Sequence, residues 1–213
     1  CGQSLAHLLM SADESVALMA CSYASSLLSP LLTDPRGTGR ALQTSVESAA
    51  SAATEGLLAY RQAALALVID EGSSTSCLPS LVQIFSGGNH PRGNETRPIK
   101  LQVAAAECLA AIALAVSAIC EDPQDALIAD AHRALQIMVD EGSTTVAYRI
   151  VSSASARTLD ASRDTPQARL REAAGLVLLA LCSCSEEAST HLRCNKALPT
   201  LLSIISEPSM LDS

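Results

Sequence analysis

The sequence predicts an all-α fold in which short helices stack as repeats, and three observations carry that reading. A near-duplicate acidic signature, VIDEGSST from position 68 and MVDEGSTT from 138, sets Asp70-Glu71-Gly72-Ser73 and Asp140-Glu141-Gly142-Ser143 seventy residues apart. Each copy is followed by a short apolar stretch at helical spacing. The interior must also be built from Ala, Leu, Val, Ile and Cys. Of 213 residues 48% are hydrophobic but only 2% aromatic, with no Trp and a single Phe, Phe85. Such a composition suits closely packed helices better than a sandwich of sheets, where aromatic and β-branched residues concentrate.

Taken in order, residues 1–35 read as helical without an assigned place. TSVESAASAATEG (44–56) has no large apolar face and reads as a small-residue, closely packed helix. RQAALALVIDEG (61–72) is a helix stopped by Gly72, the usual residue for a left-handed C-terminal cap. CLPSLVQIF follows, with Leu78, Leu81, Val82 and Phe85 on one helical face and Pro79 in the first turn, where a missing N–H is harmless. A polar loop, 86–98, leads to the long apolar IKLQVAAAECLAAIALAVSAI.

The order then recurs. ALIADAHRALQIMVDEG ends at Gly142, and Ala147, Ile150, Val151 and Ala154 give the next short amphipathic helix. Loop 155–166 precedes the long helix QARLREAAGLVLLALCSCS. EEASTHLRCNKA has Asn195 at the stop, the next best residue for that conformation, before ALPTLLSII with Leu198, Leu201, Leu202 and Ile205. Short helices are thus expected near 78, 147 and 198. Units of this kind bury their apolar faces only by stacking on neighbours.

This order resembles the armadillo (ARM) repeats. The match lies in a first helix ending in acidic-residue–Gly, a second reading Leu-Pro-x-Leu-Leu/Val, and a third reading Glu-Ala-Ala followed by alternating Leu. The best copy is LREAAGLVLLALCSCSEEASTHLRCNKALPTLLSII, 170–205, and HEAT repeats share much of the pattern. The resemblance implies a right-handed α-solenoid, an armadillo/HEAT-like superhelix, with about three to four repeats over 40–206 in a single domain spanning 1–213. Spacings between second helices exceed the family's usual period of about 40 residues, the excess lying largely in loops 86–98 and 155–166. Family members that bind extended basic peptides carry a Trp and, one turn later, an Asn on each third helix. The matching positions here are Leu176 and Ala180, and Glu107 and Ala111, so a nuclear-import receptor is disfavoured.

Net charge is −8 and pI about 4.9, with scattered basic residues, so a phosphate backbone is repelled and no nucleic-acid partner is expected. A basic protein or peptide suits that charge better. Eight cysteines, several within apolar helical runs, do not form a secreted disulfide framework; they behave as small hydrophobes and point to a reducing, cytoplasmic setting. The segment 101–120 is long enough to cross a bilayer, but it contains Glu107 and much Ala, and 173–184 is too short, so neither is expected to insert in a membrane. The chain begins at Cys1 without a Met and is expected to be a piece of a longer protein.

Candidate chemistry is weak beside this organisation. Asp70, Glu71, Asp140 and Glu141 could serve acid–base work only if they converged, whereas stacked repeats set equivalent residues along one edge. Cys182, Cys184, His191 and Cys194 offer a ligand-like set, yet Cys182 and Cys184 on one helix point in different directions. A Cys–His nucleophile pair among them lacks a third orienting group. PRGTGR (35–40) and SGGNHPRGN (86–94) lack P-loop or dinucleotide spacing, and Asn94-Glu95-Thr96 is a chance-frequency glycosylation triplet. No catalytic, cofactor or metal residues are expected.

The function expected from this reading is a non-enzymatic scaffold or adaptor that holds a protein partner on its concave third-helix surface, around Glu107, Arg169, Glu172 and Leu176. Loops 86–98 and 155–166 would add specificity. The apolar helix around Leu201 and Ile205 would need further repeats, self-association or a partner to cover it. Two alternatives stand beside this: a structural subunit of a cytoskeletal or organellar assembly packed by its flanks, and a metal- or thiol-dependent module using 182–194.

Overall fold

The computed structural model describes residues 2–28, 77–88, 96–122, 124–153 and 165–194, together with 59, 61–66, 69 and 197. Among these residues the fold is all-α, without a strand. The helices are α1 (Gly2–Leu9), α2 (Glu14–Leu28), α3 (Cys77–Phe85), α4 (Ile99–Cys120), α5 (Ile128–Asp140), α6 (Ser143–Ser152), α7 (Pro166–Cys184) and α8 (Glu186–Cys194). Residues 61–66 are helical as well. The expected short helices near 78 and 147 are α3 and α6. The one near 198, the 44–56 stretch and most of loops 86–98 and 155–166 lie outside the described residues.

The long helix α4 sits at the centre. Helices α2, α3, α5 and α7 all pack against it, α7 most extensively. Its buried residues run almost all round, from Leu101, Val103 and Ala105 to Val116 and Ile119. That is why the sequence reads there as a continuous apolar run rather than an amphipathic stripe. By length and composition α4 could cross a membrane; in this fold most of it is covered by neighbouring helices.

Small side chains set the spacing. The face of α2 turned inward is Ala17, Ala20, Cys21 and Ala24, at i, i+3, i+4 and i+7, and α4 contributes Ala105, Ala106, Ala113 and Ala115 to the same core. Alanine and cysteine let helix backbones approach closely, and larger residues at the ends of the layer fill the remainder. Phe85, the largest buried apolar side chain, closes the base of α3 beside Leu81 and Ile84.

Termini of the helices follow local chemistry. Gly142 stands between α5 and α6 at φ +81°, a left-handed residue whose N–H reaches Val139 O at 2.9 Å. The acidic signature here is therefore a helix end, as expected; its first copy lies outside the described residues. At α7 the Thr165 hydroxyl accepts from Ala168 N–H at 3.2 Å and Pro166 takes the first position. Ser185 caps α8 in the same way, through Ala188 N–H at 3.2 Å. In the α4–α5 connection, Asp122 and Asp125 each accept from the backbone two residues on, at 3.1 and 2.9 Å.

The N-terminal helices, unplaced from sequence, are fixed by contacts that sequence did not suggest. Arg97, just before α4, is fully buried against the α1–α2 turn. It donates to Ser11 O at 3.3 Å, and a second nitrogen faces Met10 Sδ at 3.8 Å. Burial holds its guanidinium pKa below the usual value, partly offset by Cys21. Arg149 on α6 similarly donates to Ser86 O at the end of α3, at 3.1 Å.

Candidate functional site

Two stripes of side chains on α4 and α7 are wholly or partly exposed. On α4 the positions are Lys100, Ala104, Glu107, Ala111, Leu114 and Ala118, alternately three and four residues apart, so they share one face. On α7 the matching stripe is Arg169, Glu172, Leu176, Leu179 and Ser183. Because α4 and α7 lie side by side, the stripes form one surface. Helix α2, which also packs against α4, exposes Met19 (64%) and Tyr23 (59%), and on α7 Leu179 is also 64% exposed.

All four residues expected to bind a partner are thus solvent-accessible. Two of them engage each other: Arg169 donates from Nε at 2.9 Å and from Nη2 at 2.6 Å to the same Glu107 oxygen, across the α4–α7 junction. Glu107 is therefore already neutralised, and Glu172, one turn further along α7, carries the remaining acidic charge of this patch. Charge gathers at the N-terminal ends of the two helices. Beyond Glu107 and Glu172 the surface turns apolar, through Ala111, Leu114, Leu176 and Leu179. Ala180, which the sequence comparison aligned with a family Asn, is buried; the exposed neighbour is Leu179.

The other candidate clusters separate. Asp140 accepts from Gln136 Nε2 at 3.0 Å within its own helix, and the same amide donates to Glu187 at 3.1 Å, so Gln136 ties α5 to α8. His191 faces the Thr145 hydroxyl at 3.5 Å. Cys182 turns toward α8, with its carbonyl accepting from Ser189 Oγ at 2.9 Å, and burial raises its thiol pKa. Cys184 turns the other way, to Ser117 of α4 at 3.1 Å. Among the described residues no group of three or more His, Cys, Asp or Glu side chains could hold a metal ion.

What sequence reading missed is the pairing across elements. Cys21, Cys77 and Cys108, from α2, α3 and α4, lie in one buried cluster. Burial pushes the thiols of Cys21 and Cys77 up to about 11 and about 12. Cys108, deepest of the three, is raised further by burial and by both neighbours. The only available sign was cysteine inside apolar helical runs.

Compared with models of protein families, with curated proteins and with solved structures, the chain matches none.

Proposed function

We propose that this chain is a non-enzymatic interaction module, an armadillo-like right-handed solenoid that holds a protein partner on the α2–α4–α7 face. The observation that carries the reading is the set of exposed apolar side chains on two helices that pack against α4, Met19 and Tyr23 on α2 and Leu176 and Leu179 on α7, together with half-buried Leu114 on α4 itself. Large apolar groups clustered on an otherwise well-packed frame mark surfaces that associate. The repeat reading is supported by like helices lying together, with the long third helices α4 and α7 making the most extensive junction and the short helices α3 and α6 each backing its own long helix.

A photo-crosslinking amino acid placed at Ala118 or Leu179, against one placed at Arg133 or Glu187 on the opposite helices, tests the proposal in native lysate. Discrete adducts from the face positions alone are expected. Adducts from α5 and α8 positions alone overturn it and favour a subunit packed by its flanks.

A further inference from the structure

The C-terminal ends of α4 and α7 bring two half-buried cysteines together, next to Ser183 at the end of the α7 stripe. Cys184 Sγ lies 3.1 Å from Ser117 Oγ and 3.8 Å from Ser117 O. Cys120 is one turn beyond Ser117 on the same helix, which sets its thiol on the side of α4 that faces Cys184. On its other side Cys120 Sγ stands 3.9 Å from His132 Nδ1 on α5. Ser183 completes the group: its hydroxyl donates to Ala180 O at 2.9 Å and lies 3.3 Å from the buried Ser117 hydroxyl, which can donate to Cys184.

We propose that Cys120 and Cys184 are a peroxide-sensitive thiol pair, oxidised by hydrogen peroxide to a disulfide that fastens α4 to α7. The roles follow from the surroundings. Cys184 is the attacking sulfur, because the Ser117 hydroxyl 3.1 Å away can donate to it during the attack. Burial and the neighbouring Cys184 push the Cys120 thiol up to about 11, so Cys120 stays protonated until the second step.

In the first step the Cys184 sulfur attacks one peroxide oxygen. The S–O bond forms, the O–O bond breaks, and hydroxide leaves, taking up the proton that Cys184 had released to give water. Cys184 is then a sulfenic acid. In the second step Cys120 sulfur attacks Cys184 sulfur, giving its proton to the facing His132 Nδ1. The S–S bond forms, the S–O bond breaks, and the departing hydroxide takes the proton from His132 as a second water. Two thiols and one peroxide become one disulfide and two waters, a two-electron oxidation.

The experiment treats the reduced, purified chain with dilute hydrogen peroxide, then digests it with trypsin without reduction. Peptide 101–133 carries Cys108 and Cys120, and 172–193 carries Cys182 and Cys184. The expected product is these two peptides linked with loss of two hydrogens, and fragmentation of the wild-type product assigns the bond to Cys120 and Cys184 without relying on variants. The link persists in Cys182→Ser and disappears in Cys184→Ser, and Ser117→Ala slows its formation several-fold at neutral pH. A bond assigned to Cys108 or Cys182, or conversion of Cys184 to sulfinic acid without any link, overturns the proposal.

Discussion

Arg61 and Asp125 form an ion pair at 3.3 Å that joins the helical segment 61–66 to the α4–α5 connection, with side chains only 10% and 16% exposed. The same carboxylate fixes its own turn, its second oxygen accepting from Leu127 N–H at 2.9 Å. The pair thus couples two stretches far apart in sequence through a charge that water barely reaches.

Removing the carboxylate should be the more damaging change. Asp125→Ala strands the buried guanidinium and frees the Leu127 amide, and breaking one side of such a pair costs about 3 kcal/mol. Arg61→Met keeps the length of the stem and leaves Asp125 with its turn bond, so it should cost less than about 1.5 kcal/mol. Urea unfolding of both variants checks the order. Equal losses would mean that packing, not charge, fixes this junction.

The buried thiols make stability fall at alkaline pH. In the unfolded chain a cysteine ionises near 9, but Cys21 and Cys77 in the fold do so only near about 11 and about 12. Their folded values are raised, so the stability they contribute is complete below pH 9 and is lost as pH rises toward those values. Each thiol removes about 1 kcal/mol per pH unit across that window. Melting curves of the reduced protein from pH 8 to 10.5 should show a steep decline, flattened in Cys21→Ala/Cys77→Ala relative to its own value at pH 8. An unchanged slope in the double variant would refute the assignment.

What could be read from sequence and what could not divide along physical lines. Helix identity was local: the spacing of Leu78, Leu81, Val82 and Phe85 gives α3, and the glycine at 142 gives the break between α5 and α6. The accessible placing of Glu107, Arg169, Glu172 and Leu176 was an expectation from the armadillo resemblance, and all four are exposed. The partners of those side chains could not be read, because Glu107 and Arg169 meet across a junction whose register depends on how α4 and α7 slide along each other. Arg97 shows the same limit. A basic residue in a Gly/Pro-containing loop reads as solvated, and only the packing of the α1–α2 turn buries it. The exposed Leu179 was obscured by the apolar run around it, in which buried and exposed leucines look alike.

The exposed face should tolerate substitution without loss of stability. Leu179→Asp and Glu172→Gln touch no buried group, so unfolding free energies should move by less than about 0.5 kcal/mol. Glu107→Gln/Arg169→Gln should give a coupling energy of about 0.5 kcal/mol in a double-mutant cycle, shrinking in 1 M salt. A coupling above about 2 kcal/mol at high salt would show this pair to be structural rather than an exposed feature of the face.

Gly142 offers the most direct test of how the turn from α5 into α6 is built. Its φ of +81° lies in the left-handed region, and a Cβ added there would meet nothing within 4 Å. Any loss on substitution therefore reports backbone conformation alone. Gly142→Ala should cost about 1 kcal/mol, the usual penalty for an L-residue held left-handed. Gly142→Asn should cost less, because asparagine visits that conformation more readily. Val, branched at Cβ, should be worst. Denaturant unfolding of the three variants gives the order Asn, Ala, Val directly. If Ala proves neutral, the chain between α5 and α6 relaxes out of the left-handed conformation, and the glycine in the acidic signature is not needed to turn one helix into the next.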